Sequence, residues 1–503
     1  MTAWTTRQWI ALLALSFSIF MISLDVTVVT VALPNIKRDL GLDMQKLQWV
    51  VTAYVLSFGA LLMAAGKLAD RSGRRRVFAL GLSVFALASV GCGLASSGTM
   101  LVAARIVQGV GAAFMSSAST ALVAGTFDTE DRPAAYGVWG TALGLGLAFG
   151  PALGGLVAGQ LGWHWIFLIN APVALLVLPT VFAVVPEARD PGAHRVDAGG
   201  MVVFSSALGL LMYALTAGPK LGWSSRAEFC LLAAAAALFV LLAAIERHHA
   251  DPLFDLSLFK SHRFLGVSIV PVAASVGYWS LFVYLPFYFD RVLDMAPQQI
   301  GGAMLPFTLP MLLMPPLAAR LARVLAARHH FAIGLMLIAC GDWLLAHGVY
   351  RHGSLMLPLL VTGLGAGLIN AQITAVAVGL VPVARAGMAA GISATMRQAG
   401  YGVGIAGLGA VLGLGSADAL RQSIAGVPGM DLQAAQAALA ATGSHVTGAR
   451  LDRLVLVAFT HGVVVTLAVA GIVTLAGAGA AWLLMRGSAA TLAAAIPTKR
   501  STT

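Results

Sequence analysis

Charge is what this sequence has least of. Only 10% of its 503 residues are Asp, Glu, Lys or Arg, against roughly 25% in a soluble globular chain, so it is too poor in charge to clothe an ordinary water-facing surface. Cysteine is scarce as well. Cys92, Cys230 and Cys340 lie in apolar stretches at no metal-ligand spacing, which speaks against a disulfide framework or a zinc site and leaves them as packing residues. There is no GxxxxGK run followed by Ser or Thr, hence no phosphate-cradling loop and no sign of ATP as an energy source. Long polar stretches are missing too, so no soluble domain is on offer for enzyme chemistry or for sensing.

Apolar sequence fills the space instead. Hydrophobic residues make up 59% of the chain, in recurring runs of about 17 or more residues, each long enough to cross a hydrocarbon core of about 30 Å. Fourteen such runs are readable, which sets the expected fold class: an all-α integral membrane protein. The first, at about 9 to 33, is too long for a cleaved signal peptide and is kept as a membrane helix. The tenth falls at about 301 to 319 and the thirteenth at about 387 to 415. The net charge of +11 is spread over short loops and does not form one face or tail, so no nucleic-acid partner is expected. Most of these Lys and Arg fall on one side if the N-terminus is cytoplasmic. That bias, strongest at Lys67, Arg71, Arg74, Arg75 and Arg76, places both termini in the cytoplasm of a cell that holds the chain in its cytoplasmic (inner) membrane.

The runs group as six, two and six. Residues 1–185 form a first six-helix bundle, and 186–263 hold two inserted helices with flanking cytoplasmic loops. Residues 264–486 form a second six-helix bundle with an external loop at 416–453, and 487–503 are a cytoplasmic tail. A short amphipathic helix is expected in that loop, around Asp431 to Thr442. Repeated halves about a central site are a common plan of secondary transporters, although no convincing sequence repeat links these two halves.

Against this apolar background a few polar residues stand out. Asp25 sits in the first run, where a carboxylate costs about 2.5–3.5 kcal/mol on insertion scales. Either it makes a structural helix-to-helix hydrogen bond or it works as a proton carrier, balanced between burial, which favours its neutral form, and nearby positive charge, which favours its ionised form. Arg105, in the antiparallel fourth run, lies at a similar depth and could pair with it, with Gln108 three residues on along the same face. A static buried salt bridge is the plainer alternative. The turn from Gly66 to Arg76 (GKLADRSGRRR) carries Gly66, Asp70, Gly73 and Arg74 in an order more specific than a basic stop signal requires. In the fifth run Gly146, Gly150 and Gly154 recur every four residues beside Pro151 and Gly155, lining one face for close helix approach, with a hinge or seal as the added reading.

Tyr54, Asp342, Asn370, Gln372, Arg397 and Gln398 are candidates for lining a path, each with interhelical bonding as its alternative. The glycines at Gly402, Gly404 and Gly407 match GxGxxG by spacing, but inside a membrane run without a preceding strand they read as packing. His248, His249, His329 and His330 are read as solvated loop residues and not as metal ligands.

Together these residues resemble the major facilitator superfamily, and within it the fourteen-helix drug:proton antiporters of the EmrB/QacA type. The resemblance spans roughly residues 10 to 485. It is carried by LDVTVVTVALP at Leu24 to Pro34, Gln48-Trp49 with Tyr54, the Gly66 to Arg76 turn and RIVQG at Arg105 to Gly109. Gly146 to Gly155 is similar to the antiporter motif of that superfamily. Trp165 to Asn170, Pro252-Leu253, Leu258-Phe259, Leu285-Pro286, Gly387 to Gly391 and Arg397-Gln398 add to it. Thr30 and Ala394 stand where that family usually has Asn, and His164 where Arg is common; these departures bear on substrate preference and not on fold.

The resemblance implies two six-helix bundles plus two extra central helices, and a proton-coupled multidrug efflux antiporter that works by alternating access. On that reading Asp25 binds the coupling proton and Arg105 tunes it. Asp70 and Arg74 belong to a cytoplasmic latch between the halves, and Gly150-Pro151 keeps the resting protein from leaking. No cofactor is expected beyond the proton gradient. The expected partners are protons, a small amphipathic or cationic substrate and the lipid bilayer, with a periplasmic adaptor and an outer-membrane channel as further candidates. A proton-coupled importer or a lipid or metabolite exporter of the same superfamily is the alternative. A membrane sensor or intramembrane enzyme is more remote, since it calls for a sensory domain or catalytic cluster that the sequence does not display.

Overall fold

In hydrocarbon every backbone N–H and C=O must find its partner within the protein, and helices meet that demand segment by segment. The computed structural model describes residues 4–128, 130–189, 197–248, 255–351, 353–382, 385–424, 439 and 449–486, and its secondary structure among them is helical throughout. The first six spans are α1 (Thr6–Leu40), α2 (Met44–Ser72), α3 (Arg74–Gly93), α4 (Gly98–Thr126), α5 (Arg132–Gln160), and α6 (His164–Leu168) running into α7 (Asn170–Val184). The inserted pair is α8 (Ala198–Leu221) and α9 (Arg226–His248). The last six begin with α10 (His262–Ala274), which is joined by a π-helical turn at Ser275–Trp279 to α11 (Ser280–Arg291). A broken span follows, made of α12 (Pro297–Ala303), α13 (Leu305–Leu313) and α14 (Pro315–Val324). Then come α15 (Ala327–Arg351), α16 (Met356–Gly379), α17 (Ala386–Ile424) and α18 (Ala449–Leu484). Among the described residues thirteen helices are long and apolar enough to cross a membrane, or fourteen if the bent pair α13–α14 is one span.

Local chemistry sets the ends of these helices. Thr5 opens α1 with a capping box, its side chain accepting from the Gln8 N–H while Gln8 reaches back to the cap. Gly41 closes the same helix in the left-handed region (φ 61°), with Lys37 and Arg38 in the last turn where the helix dipole favours cations. Asp43 caps α2 and Ser97 caps α4 with side chains that accept from the Lys46 and Met100 N–H groups.

Two spans differ from their sequence expectations. The tenth is not the single run 301 to 319: α13 and α14 meet at a 53° bend. Pro306, Pro310, Pro315 and Pro316 explain this, because each lacks an N–H and crowds the preceding turn. The thirteenth does not end near 415, since α17 continues to Ile424. Its last turns are held by Leu420 and Ile424, one helical turn apart, packed on Val455 and Ala458 of α18. The segment 416–453 therefore starts and ends inside helices, and nearly all of the expected Asp431 to Thr442 helix lies outside the described residues.

Other single-residue expectations change as well. His330 is fully buried and not solvated, its Nε2 3.0 Å from the Leu368 carbonyl, while His249 is outside the described residues. Of the three cysteines only Cys92 is packed inside; Cys230 and Cys340 are exposed on the flanks of the bundle.

Counting the bent pair as one span gives an even number, which puts Thr6 and Leu484 at one face, the terminal face. α8 packs on α2 and α17, so the inserted pair flanks the seam between the first and last six spans. Across that seam α2 lies along α17, and the other contacts gather toward the face opposite the termini: α1 with α11, and α5 with α12 and α13. Arg38 of α1 pairs with Asp290 of α11 at 3.5 Å there. Gln48 of α2 donates to the Tyr284 hydroxyl (3.2 Å), which in turn donates to the Ile405 carbonyl.

Candidate functional site

Asp25 and Arg105 meet in the middle of the first six spans. The Arg105 Nη1 donates to Asp25 Oδ2 at 2.5 Å and to Gln108 Oε1 at 2.7 Å. Gln108 Nε2 donates to the other carboxylate oxygen of Asp25 at 2.9 Å, which closes a three-residue ring of bonds. All three side chains are within 2% of full burial. Burial of this depth makes each bond matter, because removing one partner leaves a charge with neither water nor counterion.

A supporting layer holds the ring. Arg105 Nε donates to the Val50 carbonyl at 3.0 Å. Ser89 of α3 accepts from Gln108 Nε2 (3.2 Å) and from Asn170 Nδ2 (3.0 Å) and donates to the Phe167 carbonyl (2.8 Å). The Arg105 guanidinium also lies 4.1 Å above the Tyr54 ring, a cation–π contact that covers its remaining face. Gly109 belongs to this design: a Cβ there would strike the Tyr54 carbonyl and the Phe58 N–H, so only glycine lets α4 come this close to α2.

The five residues Asp25, Arg105, Gln108, Tyr54 and Gly109 were legible as candidates or as motif residues. Ser89, Asn170 and the Val50 carbonyl were not assigned a role. Asn170 was visible as part of the Trp165 to Asn170 motif, whereas a serine in an apolar helix gives no signal of its own.

Beyond Tyr54 the site continues across the seam as an aromatic cluster that sequence reasoning missed. Tyr401 of α17 lies within electrostatic reach of Arg105 and Tyr54. Its ring is 5.1 Å from that of Trp279 in the π-helical turn. Trp279 contacts Phe282 at 5.3 Å, and Phe282 contacts Phe307 of α13 at 4.8 Å. Tyr278 donates to Asn370 Oδ1 at 2.9 Å and is within electrostatic reach of Arg397. The Tyr54 and Tyr401 hydroxyls and the Trp279 indole N–H are buried without a hydrogen-bond partner among the described residues. Aromatic faces edged by unused polar groups suit an amphipathic ligand with few fixed contacts. The run Gly277 to Phe282 (GYWSLF) was the available signal.

The remaining candidates are placed as follows. Gln398 packs on Gly59 of α2 so closely that a Cβ at 59 would lie 2.6 Å from its Cβ. Arg397 is half-buried on α17, Gln372 is buried on α16, and Asp342 is buried on α15, away from the ion pair.

In the turn at the terminal face, Asp70 accepts from Arg74 at 2.8 Å across Gly73, whose φ of 110° favours glycine. Glu187, an unforeseen member, accepts from the Arg75 N–H at 3.0 Å at the start of α3 and lies 3.8 Å from Arg76. Arg75 donates to the Val185 carbonyl. These contacts tie the turn to the end of α7, within the first six spans.

The glycines of α5 serve two faces. A side chain at Gly146, Gly150 or Gly154 would run into Ser23, Thr27 or Val28 of α1, and Thr27 donates to the Gly146 carbonyl at 3.2 Å. Gly155 faces the other way, onto the Pro297 carbonyl, while Gly301 lies against Pro151. Thr308 of α13 donates to the Ala148 carbonyl at 2.7 Å. α5 is thus clasped between α1 and the broken span, at the end of the bundle away from the termini.

Residues 15–405 match the family model of the Major Facilitator Superfamily. The chain belongs to that superfamily. Over 408 residues it is 37% identical to multidrug resistance protein Stp of Mycobacterium tuberculosis, covering 80% of this chain and 76% of that protein. It is 36% identical to puromycin resistance protein pur8 of Streptomyces alboniger, covering 80% and 82%. With drug efflux pump JefA of M. tuberculosis it shares 32% identity, covering 95% and 98%. Among solved structures, a bacterial homolog of the human lysosomal transporter Spinster matches at a TM-score of 0.68 and 16% identity, covering 99% of this chain and all of the other. At that identity the match speaks for the fold alone.

Proposed function

We propose that this protein exports small amphipathic or cationic drugs from the cytoplasm in exchange for protons, with both termini in the cytoplasm and Asp25 as the coupling proton site. The observation that carries the reading is the buried ring of Asp25, Arg105 and Gln108, which reaches an inter-half aromatic cluster through Tyr54. The relatives named for drug resistance and efflux support the direction and substrate class, and the excess of Lys and Arg at the terminal face supports the orientation.

The mechanism follows from the bonds. A proton arriving from outside neutralises Asp25, so its attraction to Arg105 falls and the ring loosens. Arg105 also stacks on Tyr54, so the change reaches the aromatic surface on which a substrate rests. Substrate and proton then compete for one arrangement of the site, and the two-state bundle exchanges them across the membrane. Each unit charge moved through 100 mV is worth about 2.3 kcal/mol, enough to bias that equilibrium roughly fortyfold. In the conformation seen, α1–α11 and α5–α12–α13 close the outer face, and opening it requires the Arg38–Asp290 pair and the Gln48–Tyr284 contact to part.

Everted membrane vesicles test direction and coupling together. Ethidium is expected to accumulate inside when respiration acidifies the lumen, and to leak back when an uncoupler is added. Accumulation that survives the uncoupler would remove proton coupling, and substrate movement only toward the cytoplasmic side would favour the importer alternative.

The seal made by α5 gives a second test. Gly155→Leu places a branched side chain against the Pro297 carbonyl, an overpacking that costs about 1–3 kcal/mol where neighbours must shift. Proteoliposomes holding this variant are expected to lose an imposed pH gradient several-fold faster than wild type in the absence of drug. A folded variant with an unchanged leak rate would mean that the outer seal does not depend on this contact.

A further inference from the structure

Among the buried acids that have no part in the mechanism above, one lies beside the aromatic cluster's π-helical turn. Asp342 of α15 is fully buried, and neither of its carboxylate oxygens has a hydrogen-bond partner among the described residues. Asp25, in contrast, accepts from Arg105 and Gln108. An ionised carboxylate with no partner is heavily penalised in a membrane interior. Asp342 thus has nothing around it to hold a negative charge in this conformation, whereas Asp25 has a guanidinium against it.

The surroundings of Asp342 are built to change. It faces Gly277 in the π-helical turn, where a Cβ would lie 3.5 Å from Asp342 Oδ2 and would also meet Thr474 of α18 and Ile338. π-helical turns are rare and occur frequently at functional sites. This turn carries two buried donors that are unused, the Ser275 hydroxyl and the Trp279 indole N–H. The Thr474 hydroxyl, now bonded to the Ala470 carbonyl (2.8 Å) and the Ala273 carbonyl (3.5 Å), can rotate to become a third. Moving the π-helical turn along the chain would bring such donors to a deprotonated Asp342. The same turn holds Trp279 against Tyr401 in the aromatic cluster, so the protonation of Asp342 and the shape of that cluster are mechanically joined.

Charged groups on the elements packed against α15 are remote. α16 has none within Met356–Gly379, and on α18 Asp452, Arg453 and His461 lie more than about three helical turns before Thr474. His262 and Arg263 begin α10, roughly three turns or more before the π-helical turn. Arg320 and Arg323 sit near the end of α14, and Arg328, His329 and His330 at the start of α15. His347 and Arg351 are exposed toward the other end of α15, and Tyr278 is engaged by Asn370.

Resting on the antiport reading of the preceding subsection, we propose that Asp342 is a second proton-carrying site. Each cycle then brings in two protons from outside, one on Asp25 and one on Asp342. Both are released to the cytoplasm, and one substrate molecule moves outward. The exchange with substrate takes place at Asp25, next to Tyr54; the proton on Asp342 travels with the change in the π-helical turn and adds its driving force.

The test is the steady-state accumulation of ethidium in proteoliposomes as a function of the imposed pH difference, with the membrane potential clamped at zero. The logarithm of the accumulation ratio then rises with slope equal to the number of protons exchanged. A slope of about two is expected for wild type, roughly hundredfold accumulation per pH unit, and about one for Asp342→Asn, roughly tenfold. Asp342→Glu, which keeps the acid, should restore about two. Infrared spectroscopy supplies a second readout: the carbonyl band of a neutral carboxyl in an apolar site, present in wild type and missing in Asp342→Asn.

A wild-type slope of one, or the same slope in wild type and Asp342→Asn, overturns the proposal. A wild-type slope of zero would instead remove the antiport reading itself. If Asp342→Asn does not assemble, a wild-type slope of two with a carboxyl band that shifts in Asp342→Glu upholds the assignment, and an unshifted band overturns it.

Discussion

Arg105→Ala is expected to abolish drug transport and to destabilise the protein together. The guanidinium donates to Asp25, Gln108 and the Val50 carbonyl and stacks on Tyr54, so its removal leaves a buried carboxylate with only the Gln108 amide. Breaking one partner of such a pair costs about 3–5 kcal/mol, a large fraction of a stability that is usually about 5–15 kcal/mol. The purified variant should melt well below wild type. The double variant Asp25→Asn with Arg105→Ala removes the stranded charge and should recover much of the melting temperature while staying inactive. A single variant that melts like wild type would mean that the pair is not fully desolvated in the working protein.

Asp25→Asn separates coupling from folding. The amide keeps one oxygen to accept from Arg105 but turns a donor toward Gln108 Nε2 and removes the counterion, so the ring loosens as it does when a proton neutralises Asp25. The guanidinium still donates to Gln108 and the Val50 carbonyl and stacks on Tyr54, and the protein should assemble with a lowered melting temperature. What is lost is the ability to take up and give back a proton. Wild type should concentrate ethidium at least about tenfold for each pH unit imposed, whereas the variant should not concentrate it at all. Asp25→Glu keeps an acid on a longer arm and should retain part of the activity. Full accumulation by Asp25→Asn would move the coupling site elsewhere.

Why so much of this was readable in the sequence, and some of it not, comes down to how each feature announces itself. An apolar run of membrane length is constrained over its whole extent, which is why the alternation of spans was legible while the ends of α17 and the bend between α13 and α14 were not. The continuation to Ile424 depends on packing against α18, far along the chain. The bend reflects several prolines acting at once. Charged residues in hydrocarbon are equally conspicuous, and that made Asp25 and Arg105 candidates from the outset.

Partners that use ordinary residues stay hidden. Ser89 matters because α4, α6 and α7 bring three groups to its hydroxyl, a convergence with no local trace. Trp279 and Tyr401 are aromatic residues among many until the turn at Ser275–Trp279 brings them together. His330 misled because a basic pair near a helix start looks solvated, whereas packing against α16 buries one member fully and leaves the other half-buried. In the latch, the acid that bonds the start of α3 is Glu187, more than a hundred residues from the arginines it serves.

The central claim is that Asp25 exchanges a proton for substrate, and the most direct test couples the two fluxes in one preparation. Proteoliposomes loaded with drug and a pH-sensitive dye, with the membrane potential clamped, are diluted into drug-free buffer. In wild type, drug running down its gradient should drive protons the other way, giving a dye signal of matching time course. Asp25→Asn should give no proton signal, while any residual drug-for-drug exchange persists. A proton signal in Asp25→Asn equal to wild type, at equal drug flux, would contradict the account.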